Sequence, residues 1–349
     1  MSTTQTASVL SPAGAPSFEH LAAMTTPWGL FEHARLDAPM VGEGYCVDDV
    51  ARALVVMVRE GGSSATVLHL TEIYLSFLED AISPEGLVHN RMAHGGAWTD
   101  APSIGDWWGR AVGALGFTAA HATDPFHRTR ATYAFLRAAA QRSPDVRASA
   151  FAAIGAAELL KARPDADGAR MLLEDSLANV PIAPGVEWPW PESRLRYANA
   201  TLCEALIIGG QVLGLRGTLK RGLEMLAFLL ELETGPRGRL SVTGSAGRGS
   251  RDTGPLWDQQ PIETAALADA CARAFEATGD VQWLHGVDLA WNWFLGANDS
   301  DIPMYDAASG AGYDGLTPTG RNENRGAEST IAALSTLQRA RSLGLLDQA

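Results

Sequence analysis

Six stretches of the chain are Ala-rich and apolar on nearly every side, the pattern of a helix buried all round. They begin near Asp48, Asp106, Asp145, Tyr197, Pro261 and Gly326, at intervals of 58, 39, 52, 64 and 65 residues. Each interval has room for a helix, a turn, a second helix and a loop. Between the apolar stretches run amphipathic ones with apolar positions recurring at three and four: Ser64–Asp80, Pro125–Arg142, Asp165–Ala178, Gly217–Glu233 and Val281–Gly296, with Phe18–Ala34 ahead of the first. Strand-like runs are few. Gly86–Ala93 and Gly238–Gly244 are short, lie between helices and predict loop hairpins rather than a central sheet.

An internal period of this size marks an architecture whose units cannot bury their apolar faces alone. Six helical hairpins closed into a ring give an all-α (α/α)6 toroid, with parallel inner helices, an outer helical layer and a funnel at one end. The chain shows no linker, so residues 17–349 are expected to form one domain behind a loose leader at 1–16. An open solenoid of the HEAT kind is the competing helical arrangement, and it has no reason to gather polar residues at one end.

Polar residues do gather. In five of the six repeats the segment leading into the inner helix is rich in polar and aromatic residues: "EGYCVDDVARAL", "SIGDWWGRAVGAL", "WPWPESRLRYANATLCEAL", "WDQQPIETAALADA" and "NENRGAESTIAAL". Only "SPDVRASAFAAIGAAELL" is ordinary. Parallel inner helices bring their N-termini to one end of the ring, where these segments would meet around a single pit. Any one Asp there suits an N-cap and the positive end of the helix dipole. A cap uses one side chain, however, so the doublet Asp48–Asp49 leaves one carboxylate to face Arg52 or the funnel. Asp106 has cap and site readings of equal weight. Glu263 and Glu328 stand in first turns, beside Gln260 and beside Asn322, Asn324 and Arg325.

Of ten tryptophans, Trp98, Trp107, Trp108, Trp188, Trp190 and Trp257 lie in or just before these segments. Aromatic faces beside carboxylates, amides and arginines suit a carbohydrate ring. The alternative reading is that some are core residues plugging the ring. His33 and His89 precede the segments, each a candidate pocket residue and each also a common structural donor. The loop from Thr234 to Gln260 carries four arginines without phosphate-loop spacing, and it reads as a flap over the funnel.

Composition narrows the field. With 27 Lys+Arg against 40 Asp+Glu the formal charge is -13, which argues against a nucleic-acid or anionic-membrane surface. No run is long enough to span a bilayer and none has signal-peptide form. Cys46, Cys203 and Cys271 are odd in number and lack metal-ligand spacing, so neither a disulfide framework nor a zinc site is expected. A cytoplasmic protein with no metal and no cofactor is the reading.

The segments "GYCVDDVARAL", "GDWWGRAVGAL", "QQPIETAALADAC" and "NENRGAESTIAALSTLQ" resemble a bacterial family of (α/α)-barrel domains found alone or associated with glycosyltransferases, within the six-hairpin glycosidase-like superfamily. The resemblance runs from about Trp28 to Gln338 and implies a carbohydrate-active domain. A transferase label is not carried over, because the chain has no nucleotide-sugar Rossmann pattern. Glycoside hydrolysis needs two carboxyls, about 6.5–9.5 Å apart for inversion. Inverting enzymes are numerous on this barrel. The expectation is therefore that one of Asp49 and Asp106 works opposite one of Glu263 and Glu328 on an intracellular oligosaccharide or glycoconjugate. Asp48, Arg52, Arg110, Asn322, Asn324 and Arg325 would hold hydroxyls, and Trp107, Trp108, Trp188 and Trp190 would stack on rings. His33, Tyr45, His89, Asn199 and Gln260 complete the candidate binding set. The alternatives are a sugar epimerase or isomerase on the same barrel, which wants histidines, and a non-catalytic glycan-binding module.

Overall fold

The computed structural model describes residues 15–183, 185 and 187–346. The leader expected at 1–16 falls, except for its last two residues, outside them. Six inner helices form the ring: α2 (Val47–Glu60), α4 (Asp106–His121), α6 (Val146–Ala162), α8 (Asn199–Val212), α10 (Pro261–Thr278) and α12 (Ala327–Ser342). Each packs on the next, and α12 closes on α2. Outside them lie α3 (Ala65–Ala81), α5 (Pro125–Ala138), α7 (Asp167–Ala178), α9 (Arg216–Leu232) and α11 (Gln282–Phe294), each against its preceding inner helix. The architecture is the (α/α)6 barrel read from the sequence.

The first outer element departs from expectation. Phe18–Ala34 is not one helix. Only α1 (Glu19–Ala23) is helical, against α12, and two short hairpins follow, Thr25–Thr26 with Gly29–Leu30 and Ala34–Arg35 with Ala38–Pro39. Pro27 disfavours helical backbone at Thr26. The Thr25 and Thr26 hydroxyls instead pair with the phenols of Tyr74 and Tyr45, both at 2.7 Å. The two expected loop hairpins also differ in detail. Arg91–Met92 bridges back within its own loop, Met92 to Trp98, and also pairs with Tyr45–Cys46, fastening that loop to the start of α2. Leu240 and Gly244 make only single bridges, to Thr234 and Gln259.

Glycine sets the closest approach in the ring. A methyl at Gly109 or Gly116 of α4 would collide with the α6 backbone at Ala148 or Gly155. Both positions therefore require glycine for α4 and α6 to pack at this distance. No helix among the described residues is long and apolar enough to cross a membrane.

Candidate active site

The six inner helices all start at one end of the ring, and a cavity of about 570 Å³ opens there. Asp48, Asp49 and Arg52 reach it from α2, Asp106 and Arg110 from α4, Glu263 from α10 and Glu328 from α12. His33, Gln260 and Asn322 join from the connecting segments. The four carboxylates singled out in the sequence thus share one cavity, although their positions span some 280 residues of chain.

The doubled aspartate does not cap its helix. Cys46 is the N-cap residue of α2 and makes no side-chain capping bond. Asp49 is almost fully buried, with Oδ1 accepting from Arg52 Nη2 at 2.6 Å and Oδ2 accepting from the Cys46 thiol at 3.1 Å. Arg52 also donates to Glu328 Oε2 at 2.9 Å and, through Nε, to the Asp48 carbonyl. One guanidinium therefore bridges two acids. Asp48 Oδ1 lies 3.1 Å from Arg110 Nε, but the angle does not complete a hydrogen bond and both atoms stay unpartnered. Arg110 in turn lies over the Phe151 ring, 4.1 Å from its centroid. A true aspartate cap occurs at Asp145, in the repeat whose sequence is ordinary. Its carboxylate accepts from the N–H groups of Arg147 and Ala148 at 2.8 and 3.1 Å.

Glu263 caps a neighbouring helix instead of its own. Its Oε1 accepts from the Ala198 N–H, and its Oε2 accepts from the Asn199 N–H at 3.3 Å and the Asn199 amide at 3.0 Å. Ala198 is the N-cap of α8 and holds a left-handed φ of 47°, a costly state for a residue with a Cβ. The carboxylate of one repeat thus pins the strained start of the preceding one. Burial, reinforced by Glu233, pushes the Glu263 carboxyl up to about 7 against the pull of those donors. Because this folded-state value lies above the ordinary one, its contribution to stability is full below about pH 4.5 and is lost as pH rises through about 7. Glu263→Gln keeps the shape but turns an NH₂ toward donors. It is expected to cost about 1–3 kcal/mol of unfolding free energy at neutral pH, read by denaturant titration.

The remaining pair is more open to a ligand. Asp106 is half-buried, and Tyr197 donates its phenol to Oδ2. Burial raises the Asp106 carboxyl above its usual range despite that bond. The Glu328 side chain is 40% exposed. Burial would raise its carboxyl too, but Arg52, Arg110 and His33 outweigh it and hold the group below the ordinary value. Burial likewise raises Asp49 in spite of Arg52.

The tryptophans sit elsewhere. Asp106 and Arg110 are one turn apart and face the cavity together, so Trp107 and Trp108 are rotated away by about 100° and 200°. Trp108 is fully buried and donates to the Ala138 carbonyl of the outer layer, while Trp107 donates to that of Val88. Trp190 is fully buried. Trp188 meets the Phe228 ring edge-on and donates to the Glu192 carbonyl. Trp98 stacks on His89, whose Nδ1 is 2.8 Å from the Asp100 carbonyl. Tyr45 is buried against Thr26, and Asn199 is spent on Glu263. Asn324 accepts from the Leu36 N–H, and Arg325 lies beside Asp306 and the Tyr313 ring. None of these nine residues, Tyr45, His89, Trp107, Trp108, Trp188, Trp190, Asn199, Asn324 and Arg325, lines the cavity.

The lining adds residues not singled out before: Glu32, Cys46, Arg196, Tyr197, Asp314, and Thr243–Ser245 of the long loop. Tyr197 and Cys46 stood in the polar segments, where a pocket signal could have found them. The loop does reach the mouth, but its arginines do not. Arg237 and Arg239 pair with Asp301, and Arg248 donates to the Leu232 carbonyl. Glu32, Cys46 and Asp49 bring possible metal-donor atoms within 4.8 Å of one another. Arg91 already pairs with Glu32 and Arg52 with Asp49, so the local field opposes a cation.

No protein-family model and no curated protein matches the chain. Solved structures do match. A sugar epimerase from a ruminal bacterium is 13% identical with a TM-score of 0.68, covering 93% of this chain and 95% of its own. A cellobiose 2-epimerase from Spirochaeta thermophila is 13% identical at a TM-score of 0.67, covering 94% of both chains. A cellulase of C. cellulolyticum complexed with cellobiose, 10% identical, has a TM-score of 0.59 over 90% of this chain and 88% of its own. The fold of this protein is therefore the (α/α)6 barrel, the architecture it shares with these solved structures.

Proposed function

We propose that the protein is a carbohydrate-active enzyme, an inverting glycoside hydrolase with Asp106 as general acid and Glu328 as general base, on one domain over residues 17–349. The observation that carries the reading is a pair of carboxyls lining one cavity in contrasting environments: burial shifts Asp106 toward its protonated form, and Arg52 holds Glu328 ionised. Environments that push two carboxyls apart assign acid and base. Asp49 and Glu263 are nearly fully buried and committed to Arg52 and to the start of α8, so they serve as supports. In the reaction Asp106 gives its proton to the glycosidic oxygen as the bond to the leaving group breaks. Glu328 takes a proton from the water that attacks the anomeric carbon from the opposite face. Asp48, Arg110, Gln260 and Asn322 are placed to bind hydroxyls. A cavity lined by more acids than bases argues against an anionic sugar. The resemblance to domains associated with glycosyltransferases supports a glycan or glycoconjugate substrate inside the cell.

Epimerisation is the second reading. It is favoured by the higher TM-scores of the two epimerases and by His33 at the rim. One experiment separates the two. The protein is incubated in D₂O with defined α- and β-linked disaccharides, and products are followed by anomer-resolved NMR. Hydrolysis gives an inverted free sugar without carbon-bound deuterium. Epimerisation places deuterium at C2 with the linkage intact, and that result would replace the proposal.

A further inference from the structure

Beneath the mouth the ring encloses a second cavity of about 160 Å³ that runs along the axis. Arg52, Arg110 and Ile262 belong to both cavities and form the partition between them. Below it the wall is apolar. Val55, Phe117, Phe151, Ile154, Ile262 and Ala266 point into the ring, yet each keeps partial exposure. All six line this cavity, which accounts for the exposure they keep inside the ring. Apolar surface left in contact with a space of this size favours any apolar occupant that fits.

The far end is ionic and almost self-sufficient. Asp269 accepts from Arg59 at 3.0 Å and from Arg339 at 2.6 Å, and Arg273 is shared by Glu158 and Glu276. Ser335 accepts from Arg59 and donates to Asp269. Glu204 is the exception. It is more than nine-tenths buried, lines the lumen, and among the described residues stands 3.6 Å from Arg273 Nη2 without completing a hydrogen bond. Its carboxyl has acceptor capacity to spare, and the Nε groups of Arg59 and Arg273 at this end are likewise unpartnered. Arg59 and Arg339 are already paired with Asp269, and Arg273 with Glu158 and Glu276, so a neutral hydroxyl can engage Glu204 without adding charge to a paired set.

We infer that the axial lumen is a second ligand site, distinct from the mouth, that takes a small neutral ring compound of the phenol or cyclic-alcohol class, its ring against Phe117, Phe151 and Ile154 and its hydroxyl on the Glu204 carboxyl. Size supports this, since an engineered apolar cavity of about 150 Å³ accommodates benzene. Burial raises the Glu204 carboxyl to about 7, so near neutrality it can accept from or donate to a hydroxyl.

The test is a titration of the full chain with phenol, cyclohexanol and toluene, followed by methyl NMR of Ile154, Ile262 and Ile331 and by calorimetry. Phenol should saturate with a submillimolar to millimolar Kd, shift those methyls, and bind at least tenfold tighter than toluene. Ala266→Leu, which fills the lumen, should weaken it at least tenfold, with Ala332→Leu as the substitute if the first variant does not fold. Glu328→Gln, in the mouth, should leave the phenol affinity unchanged whatever it does to sugar turnover, so the two sites stand or fall separately. Absence of saturable binding, shifts confined to outer-layer methyls, or full affinity in the filled variant would each overturn the inference.

Discussion

Replacing Asp106 by Asn is expected to lower kcat on a cleavable glycan by about 10²–10⁴-fold while leaving binding within a few-fold, the loss typical of removing a positioned general acid. The amide oxygen can still accept from Tyr197, so the mouth should keep its shape and the loss would report proton transfer. Glu328→Gln should produce a similar fall for the complementary reason, since an amide cannot take a proton from water. The two variants differ in pH dependence. Arg52 holds Glu328 below the ordinary carboxylate range, which sets the acid limb of kcat/KM low, and burial of Asp106 sets the alkaline limb above that range. Asp106→Asn should remove the alkaline limb and Glu328→Gln the acid one. Turnover at the wild-type level in both, measured alongside retained glycan binding, would reduce the mouth to a binding site.

The largest expected effect on stability lies at the other end of the ring. Arg273→Met should cost about 3–5 kcal/mol of unfolding free energy, because it leaves Glu158 buried beside an apolar side chain. Arg273 and Glu158 are 3% and 2% exposed, so solvent cannot replace the lost partner. Burial works against the Glu158 charge, yet the hydrogen bond from His121 and the field of Arg273 hold the carboxyl at about 2. A folded-state value below the ordinary one stabilises above about pH 4.5, and the contribution is lost as pH falls toward about 2. That amounts to about 3 kcal/mol in the wild type. Denaturant titrations from pH 7 to pH 2 should therefore show a shallower acid limb in the variant. A loss below about 1 kcal/mol at pH 7 would mean that His121 suffices for Glu158.

The ring was legible because its evidence repeats: six apolar helices at long, similar intervals leave few other closed arrangements. Helix starts followed within two residues, as at Asp106 and Pro261. The pit was legible because parallel inner helices force their N-termini together. Roles within it were less so. Glu263 reads as a pocket acid in sequence, but its partners Ala198 and Asn199 lie some 65 residues away and no local pattern announces them. Position in the chain puts the tryptophans near the mouth, whereas helical phase turns Trp107 and Trp108 away from it. Phe18–Ala34 had helical composition, and it was tertiary hydroxyl pairing plus Pro27 that turned it into hairpins.

The reach of Glu263 from one hairpin to the first amides of the hairpin before it has a bearing on how the molecule comes apart. In an open array each unit can fray from an end, but here the fifth repeat supplies the clasp that lets the fourth begin, while α12 shuts the circle on α2. Excising any one repeat would strand its neighbours, so melting should proceed as a single cooperative event instead of a stepwise peeling.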